Sequence, residues 1–137
     1  MAGVLLDTGP LVALFRRNDA HHRPAVAWFR QHSGPLLTTQ AVVTEAWHLL
    51  REPVRLSLVR YVTRACDVRE LGRDGQARVL HALERFADTP MDYADATLLV
   101  LAEVESVYAI ATIDTGEFSA YRTASGKALK NVFPGRR

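Results

Sequence analysis

The stretch from Val4 to Phe15 predicts a buried strand that ends in a single acidic residue. Val4 to Leu6 form an apolar run that is too short for a helix and suits a strand buried on both faces. The Thr8-Gly9-Pro10 run then predicts a helix start, with a capping residue, a permissive glycine and a proline for the first helical position. Asp7 is therefore expected at the carboxyl end of a strand, which is where open α/β sheets bind their ligands.

Short apolar runs alternate with helical patterns along the rest of the chain. Further strands are predicted at Leu36-Leu37, Val68–Leu71, Tyr108–Ile113 and Asn131–Phe133. Helices are predicted between them, over residues 24–32, 41–50, 56–66, 76–86 and 91–105. This alternation is typical of a parallel sheet that is covered by helices on both faces. We therefore expect an α/β fold, a three-layer α/β/α sandwich with a short, mainly parallel central sheet, and at 137 residues a single domain over 1–137.

Local capping and turn signals predict where several of these elements begin. Thr38 or Thr39 is expected to cap the helix over 41–50. The runs Gly72–Gly75 and Thr115–Phe118 are predicted as turns. In the run Thr89-Pro90-Met91-Asp92, the threonine is expected to cap the next helix, the proline to take its first position and the aspartate its third.

Four acidic residues stand either at strand ends or in apolar surroundings. Asp7 and Asp114 follow predicted strands, and if these strands are parallel neighbours, both side chains lie at one edge of the sheet. Glu45 and Asp95 lie within otherwise apolar helical sequence. A carboxylate on an apolar helix face must be paired, protonated or bound to a metal, because an unpaired buried charge is costly.

The chemistry of these four residues favours a hard divalent cation. Converging carboxylates repel one another and raise each other's pKa values unless a cation neutralises them. Oxygen ligands without a Cys or His cluster favour Mg²⁺ or Mn²⁺ over zinc. Such an ion can generate a hydroxide nucleophile and stabilise the charge that develops on a phosphodiester oxygen.

At these positions the chain resembles the PilT N-terminal (PIN) domain family, in particular the toxin nucleases of the VapC type. Leu6-Asp7-Thr8 resembles the opening motif of the family, and Thr44-Glu45 resembles its internal acidic motif. Asp92–Ala96 is similar to the third motif, and Thr112-Ile113-Asp114 followed by Phe118 is similar to the closing one. The resemblance extends over nearly the whole chain, and its specific signal is the order and spacing of the four motifs.

The resemblance implies Mg²⁺- or Mn²⁺-dependent cleavage of RNA by an α/β/α sandwich. It also implies dimerisation and, for toxin members, inhibition by an antitoxin that is encoded beside the toxin. The residues that it implies as metal-binding and catalytic are Asp7, Glu45, Asp95 and Asp114. Thr8 and Thr112 would support this set, Thr112 as a hydroxyl that orients Asp114 or a metal-bound water. Asp92 either faces the same cleft, one helical turn before Asp95, or only caps the helix.

Two other classes of function stay open at this point. A non-catalytic module would keep the fold and bind RNA or protein, although such a module has no reason to hold four carboxylates together. An aspartate-based phosphatase would use Asp7 as its nucleophile, but the haloacid-dehalogenase-like enzymes need a second aspartate two residues later, where this chain has Gly9. Cleavage of RNA and hydrolysis of an aryl phosphate would discriminate among the three.

The cysteine count and the charge indicate the cellular compartment and the kind of partner. Cys66 is the only cysteine, so an internal disulfide is impossible and a reducing cytoplasm is expected. No apolar run approaches the roughly 20 residues of a membrane span, and no secretory signal is visible. The net charge is +2, but basic residues form two groups, either of which is solvated surface or a patch that faces a polyanion. The first group comprises Arg16, Arg17, Arg23 and Arg30, and the second Arg122, Lys127, Lys130, Arg136 and Arg137.

Overall fold

The computed structural model describes residues 3–134, without the side chain of Thr115. A parallel sheet forms its centre, and its strands in chain order are β1 (Val4–Leu6), β2 (Leu36–Thr39), β3 (Asp67–Arg69), β4 (Ala109–Ala111) and β5 (Lys130–Asn131). The strand order across the sheet is β3-β2-β1-β4-β5, with every neighbouring pair parallel. Parallel strands need crossover connections, and helices supply them here.

Seven helices in the described residues surround the sheet. They are α1 (Thr8–Phe15), α2 (His22–Gln31), α3 (Gln40–Leu49), α4 (Val54–Ala65), α5 (Gly72–Arg85), α6 (Tyr93–Glu105) and α7 (Thr115–Ala120). Helix α6 is the most buried, since every residue from Ala94 to Ala102 is buried. The expected α/β/α sandwich with a parallel central sheet is confirmed. Within residues 3–134, none of the helices has the length and apolar character needed to cross a bilayer.

The central strand β1 is fully buried, as its apolar run predicts. It pairs with β2 on one side and β4 on the other, with Leu5 opposite both Leu37 and Ile110. Thr39 caps α3, because its side chain accepts a hydrogen bond from the backbone N–H of Val42. These two local predictions are therefore confirmed.

The predicted start of α6 is wrong. The helix begins at Tyr93, and Asp92 is its N-cap rather than its third residue. The side chain of Asp92 accepts from the backbone N–H of Asp95, and the side chain of Asp95 accepts from the backbone N–H of Asp92. This reciprocal capping box satisfies two backbone donors, so Thr89 and Pro90 lie outside the helix.

Both runs that were predicted as turns are helical. Residues 72–75 form the first turn of α5, where Gly75 is buried and a Cβ at this position would lie 2.4 Å from the Cβ of Leu71. The glycine is thus explained by close packing rather than by a turn. Residues 115–118 likewise begin α7, which has Asp114 as its N-cap.

Strand ends and helix starts also differ from the predictions by a few residues. Strand β3 ends at Arg69 and β5 at Asn131, and β4 ends at Ala111, so that Asp114 lies three residues beyond its strand. In α1 the first residue is Thr8 and Pro10 is the third. Thr8 does not cap α1, because its side chain has a partner elsewhere in the fold.

Candidate active site

The pairing of β1 with β4 brings Asp7 and Thr112 together. Leu6 is opposite Ala111, and the backbone N–H of Asp7 donates to the carbonyl of Ala111 at 3.1 Å. The hydroxyl of Thr112 donates to Oδ2 of Asp7 at 2.7 Å and accepts from the backbone N–H of Asp114 at 3.1 Å. Thr112 therefore connects the two aspartates that follow neighbouring strands.

Asp7 is an acidic side chain held almost out of solvent, with 7% of its surface exposed. Burial raises its pKa to about 6, because the charged form is desolvated, and the charges of Glu45 and Asp92 raise it further. Hydrogen bonds from the Thr112 side chain and the Thr8 backbone act in the opposite direction and lower the pKa. The position thus favours a cation that would stabilise the ionised carboxylate.

Glu45 reaches the same region from α3. The hydroxyl of Thr8 donates to Oε1 of Glu45 at 2.5 Å, across 37 positions of sequence. This contact fixes the glutamate beside the first turn of α1. It also explains why Thr8 does not cap that helix.

Asp95 and Asp92 lie at the amino end of α6. Asp95 is 7% exposed, and burial, followed by the charge of Asp92, raises its pKa to about 7. The hydroxyl of Tyr121 lies 3.4 Å from Oδ2 of Asp95 and also donates to the carbonyl of Pro90. Asp92 has a structural explanation as a helix cap, and its charge also acts on Asp7 and Asp95.

The acidic residues described above all line one open cleft of about 370 Å³. Acidic side chains dominate its lining, and they are Asp7, Asp19, Glu45, Asp92, Asp95, Asp114 and Glu117. Thr8 lines the cleft as well, whereas Thr112 lies behind Asp7 and is buried. The structure therefore brings together the four carboxylates that the sequence singled out, although they come from four different elements.

Sequence reasoning missed Glu117, which lines the cleft from α7. A side-chain hydrogen bond with Asp114 raises the pKa of Glu117. The available signal was an acidic residue three positions after Asp114. Because residues 115–118 were predicted as a turn, the helix that directs Glu117 towards the cleft was not expected. Asp19 and His21 also line the cleft, from the loop before α2, where the backbone N–H of His21 donates to Asp19 Oδ1 at 2.8 Å.

The structure places the residues of the two basic groups in different surroundings. Arg16 lines the cleft, and it is the one arginine or lysine among the lining residues in the described part of the chain. Arg122 donates to the carbonyls of Ser119 and Tyr121, and the ammonium of Lys127 lies 4.6 Å from the ring centroid of Tyr108. Arg136 and Arg137 lie outside the described residues.

The donor set of the cleft fits a hard divalent cation. Among residues 3–134, no three His, Cys, Asp or Glu side chains are already grouped as a metal site. The lining nevertheless supplies carboxylate oxygens, which Mg²⁺ and Mn²⁺ prefer. Burial first, and the charges of neighbouring carboxylates after it, raise the pKa values of Asp7 and Asp95, and a bound cation would offset both effects.

Comparison with solved structures identifies similar folds. The Mycobacterium tuberculosis toxin VapC20, described as cleaving the sarcin-ricin loop, has a TM-score of 0.75 and 23% identity over 85% of this chain and 93% of that chain. A toxin–antitoxin complex from Klebsiella pneumoniae has a TM-score of 0.66 and 16% identity over 85% and 91%. FitAcB from Neisseria gonorrhoeae has a TM-score of 0.55 and 19% identity over 84% and 90%.

Comparison of the sequence assigns the family. A search of curated proteins gives no significant match. The profile of the PIN domain, in contrast, matches residues 4–123, which run from the first strand past the last cleft residue. The chain therefore belongs to the PIN domain family.

Proposed function

We propose that this chain is a divalent-metal-dependent endoribonuclease, which hydrolyses RNA phosphodiester bonds with Mg²⁺ or Mn²⁺. The observation that carries this proposal is the convergence of Asp7, Glu45, Asp95 and Asp114 on one cleft. Membership of the PIN domain family supports it. RNA as the substrate is supported by the fold shared with VapC20, whose described target is the sarcin-ricin loop.

The four carboxylates would hold the metal. When bound, the metal supplies a hydroxide nucleophile at neutral pH and stabilises negative charge on the phosphoryl oxygens. Because the pKa values of Asp7 and Asp95 are raised, these carboxyl groups hold their protons to a higher pH in the metal-free protein, and they would release them when the metal binds.

Neighbouring groups hold these carboxylates in place. The hydroxyl of Thr112 orients Asp7, and the hydroxyl of Thr8 orients Glu45. The backbone N–H of Asp92 donates to Asp95, which fixes its carboxylate at the start of α6. Such support limits side-chain motion, and it is what a site that must position a phosphodiester needs.

We further propose that the chain is the toxin of a toxin–antitoxin pair, active in the cytoplasm and assembled as a homodimer. The fold shared with the Klebsiella pneumoniae toxin–antitoxin complex supports an antitoxin partner. Several large apolar side chains on α3 and α4 are exposed and would need cover: Trp47, Leu49, Leu56 and Val59.

An RNA cleavage assay tests the nuclease proposal. The purified chain is incubated with total RNA in Mg²⁺, in Mn²⁺ and in EDTA, beside Asp7→Asn and the control Asp88→Asn, whose exposed carboxylate lies outside the cleft. Cleavage by the wild type and the control, lost in EDTA and in Asp7→Asn, is expected. Cleavage that persists in EDTA or in Asp7→Asn would refute the proposal.

The two other classes give different results. Binding of RNA without cleavage in either metal would favour a non-catalytic module. Hydrolysis of an aryl phosphate that is lost in Asp7→Asn, without cleavage of RNA, would favour the aspartate-based phosphatase.

A further inference from the structure

A groove leaves the acidic cleft along the amino end of α6. A neighbouring cavity of about 460 Å³ shares Glu45 and Asp92 with the cleft. It shares Thr44 and Tyr93 with a third cavity of about 300 Å³, which extends to Gln76. Volumes of this size are those of small-molecule sites. We call the two cavities beyond the cleft the Tyr93 groove, after the aromatic residue that lines both.

Tyr93 is an exposed aromatic residue in a fixed position. It is the first residue of α6, next to Asp92, and 48% of its surface is exposed. Its hydroxyl donates to Oε1 of Gln76 on α5 at 2.8 Å. The ring is therefore held at the groove before any ligand arrives, which reduces the entropy lost on binding.

The charges of the groove disfavour recognition of phosphate. Arg69 is the one arginine or lysine in its lining, as far as the described residues show. Its guanidinium is already paired with Asp67 at 3.0 Å and with Glu105 at 3.1 Å. The carboxylates of Glu45 and Asp92 also line the groove, and they repel a phosphodiester. A neutral, flat group fits this surface better than a phosphate does.

A nucleobase is such a group. Every base has a π-face that stacks on an aromatic side chain, and its edges accept and donate hydrogen bonds. Polar side chains that suit base edges line the groove: Gln40, Thr44, His48 and Gln76. A base inside a duplex cannot expose its face, so the groove favours single-stranded RNA.

We propose that the Tyr93 groove binds a base of single-stranded RNA next to the bond that is cleaved, by stacking on the ring of Tyr93. This inference rests on the proposed ribonuclease function and adds a specificity determinant to it. Because stacking on an aromatic ring tolerates every base, the groove selects for an unpaired base near the cleaved bond rather than for its identity.

The test asks whether a substitution of Tyr93 weakens binding only when the ligand carries bases. Two fluorescent probes of about 12 nucleotides are used, an oligoadenylate and a ribose-phosphate chain of the same length without bases. Their dissociation constants are measured with Mg²⁺ in the Asp7→Asn background, alone and combined with Tyr93→Leu or Tyr93→Phe. Leu80→Ala is the matched control, because Leu80 is 58% exposed on α5 and does not line the groove. Thermal unfolding of each variant confirms that it is folded.

The stacking proposal predicts a loss that depends on the bases. Tyr93→Leu should weaken oligoadenylate binding by about tenfold, whereas Tyr93→Phe and Leu80→Ala should leave it within about twofold. Binding of the base-free chain should be the same in all variants. The inference would be overturned if the proteins with and without Tyr93→Leu bound oligoadenylate equally. An equal loss of affinity for both probes would also overturn it.

Failure of the ribonuclease proposal gives a separate result. In that case the wild-type protein, with both Asp7 and Tyr93, does not cleave the oligoadenylate or total RNA in Mg²⁺ or Mn²⁺, whatever the binding measurements show. Cleavage by the wild type with no base-dependent loss in Tyr93→Leu would overturn only the role of the groove.

Discussion

The hydroxyl of Thr112 donates to Asp7 across the two central strands at 2.7 Å. Its oxygen also accepts from the backbone N–H of Asp114. A threonine hydroxyl has one proton, and here that proton stabilises the charged form of Asp7, one of the two buried aspartates of the site. The contact therefore opposes the effect of burial on Asp7.

Replacing Thr112 by valine should shift the pH dependence of cleavage. Without the donor, the pKa of Asp7 rises further above about 6, because a hydrogen bond to a carboxylate favours its charged form. The acid limb of kcat/KM should move to higher pH, so that the rate falls more at about pH 6 than at about pH 8. A pH–rate profile measures this, with Thr112→Ser as the control that keeps the hydroxyl. An acid limb in Thr112→Val that coincides with the wild type would contradict the assigned role.

The metal-free protein should lose stability as the pH rises. The pKa values of Asp7 and Asp95, about 6 and about 7, lie above the ordinary value of 3.8. The folded state therefore binds more protons than the unfolded state, and the resulting stabilisation, complete below pH 3.8, is lost as the pH rises through the folded-state values. Asp7 alone contributes about 2–3 kcal/mol to this change. Urea unfolding in EDTA from about pH 5 to about pH 8 covers about half of this change, roughly 1.4 kcal/mol for Asp7. A free energy of unfolding that increases over this range would disprove the assignment.

Asp7→Asn should be more stable than the wild type in EDTA at about pH 8. The amide carries no charge to desolvate, and its oxygen keeps the hydrogen bond from Thr112. The free energy of unfolding should then depend less on pH, while cleavage is lost. Lower stability of this variant than of the wild type at about pH 8 would show that burial of the Asp7 charge is not unfavourable.

A divalent cation should stabilise the protein more at alkaline than at acidic pH. Protons compete with the metal for Asp7 and Asp95 below their raised pKa values. The increase in Tm on addition of Mg²⁺ should therefore be small at about pH 5 and several degrees at about pH 8. As the control, Asp7→Asn should show little increase in Tm on addition of Mg²⁺ at either pH.

Asp92 can be tested for two separate roles. Asp92→Asn keeps a capping side chain and removes the charge, whereas Asp92→Ala removes both. The alanine variant should lose about 1 kcal/mol of stability, and the asparagine variant only a few tenths. If Asp92 serves the site, both variants should cleave RNA more slowly, and wild-type rates in Asp92→Asn would assign it to capping alone.

The sequence predicted the main relationship of the site because that relationship depends on topology. An apolar run before Asp7 and another before Asp114 indicated parallel strands, and the register between Leu6 and Ala111 brings the residues that follow them together. Glu45 and Asp95 were found because a charge on an apolar helix face requires a partner. These are features of local pattern combined with one rule of sheet geometry.

The remaining contacts depend on distances that local pattern does not encode. Thr8 satisfies the rules for a helix cap, but its hydroxyl bonds Glu45, 37 positions away. Thr89-Pro90 and Asp92 both satisfied capping rules, and the reciprocal bonds between Asp92 and Asp95 determined the start of α6. Glu117 faces the cleft only because α7 is a helix.

Binding of Mn²⁺ to the cleft tests the central claim most directly. Free Mn²⁺ is followed by electron paramagnetic resonance as it is titrated into the wild type, Asp7→Asn and Asp88→Asn at about pH 8. We predict that the wild type and Asp88→Asn bind Mn²⁺ equally and release it to excess Mg²⁺, and that Asp7→Asn binds it at least about tenfold more weakly. Equal binding by all three proteins, or no binding by a wild-type preparation that cleaves RNA, would contradict the claim that these carboxylates hold the metal used in cleavage.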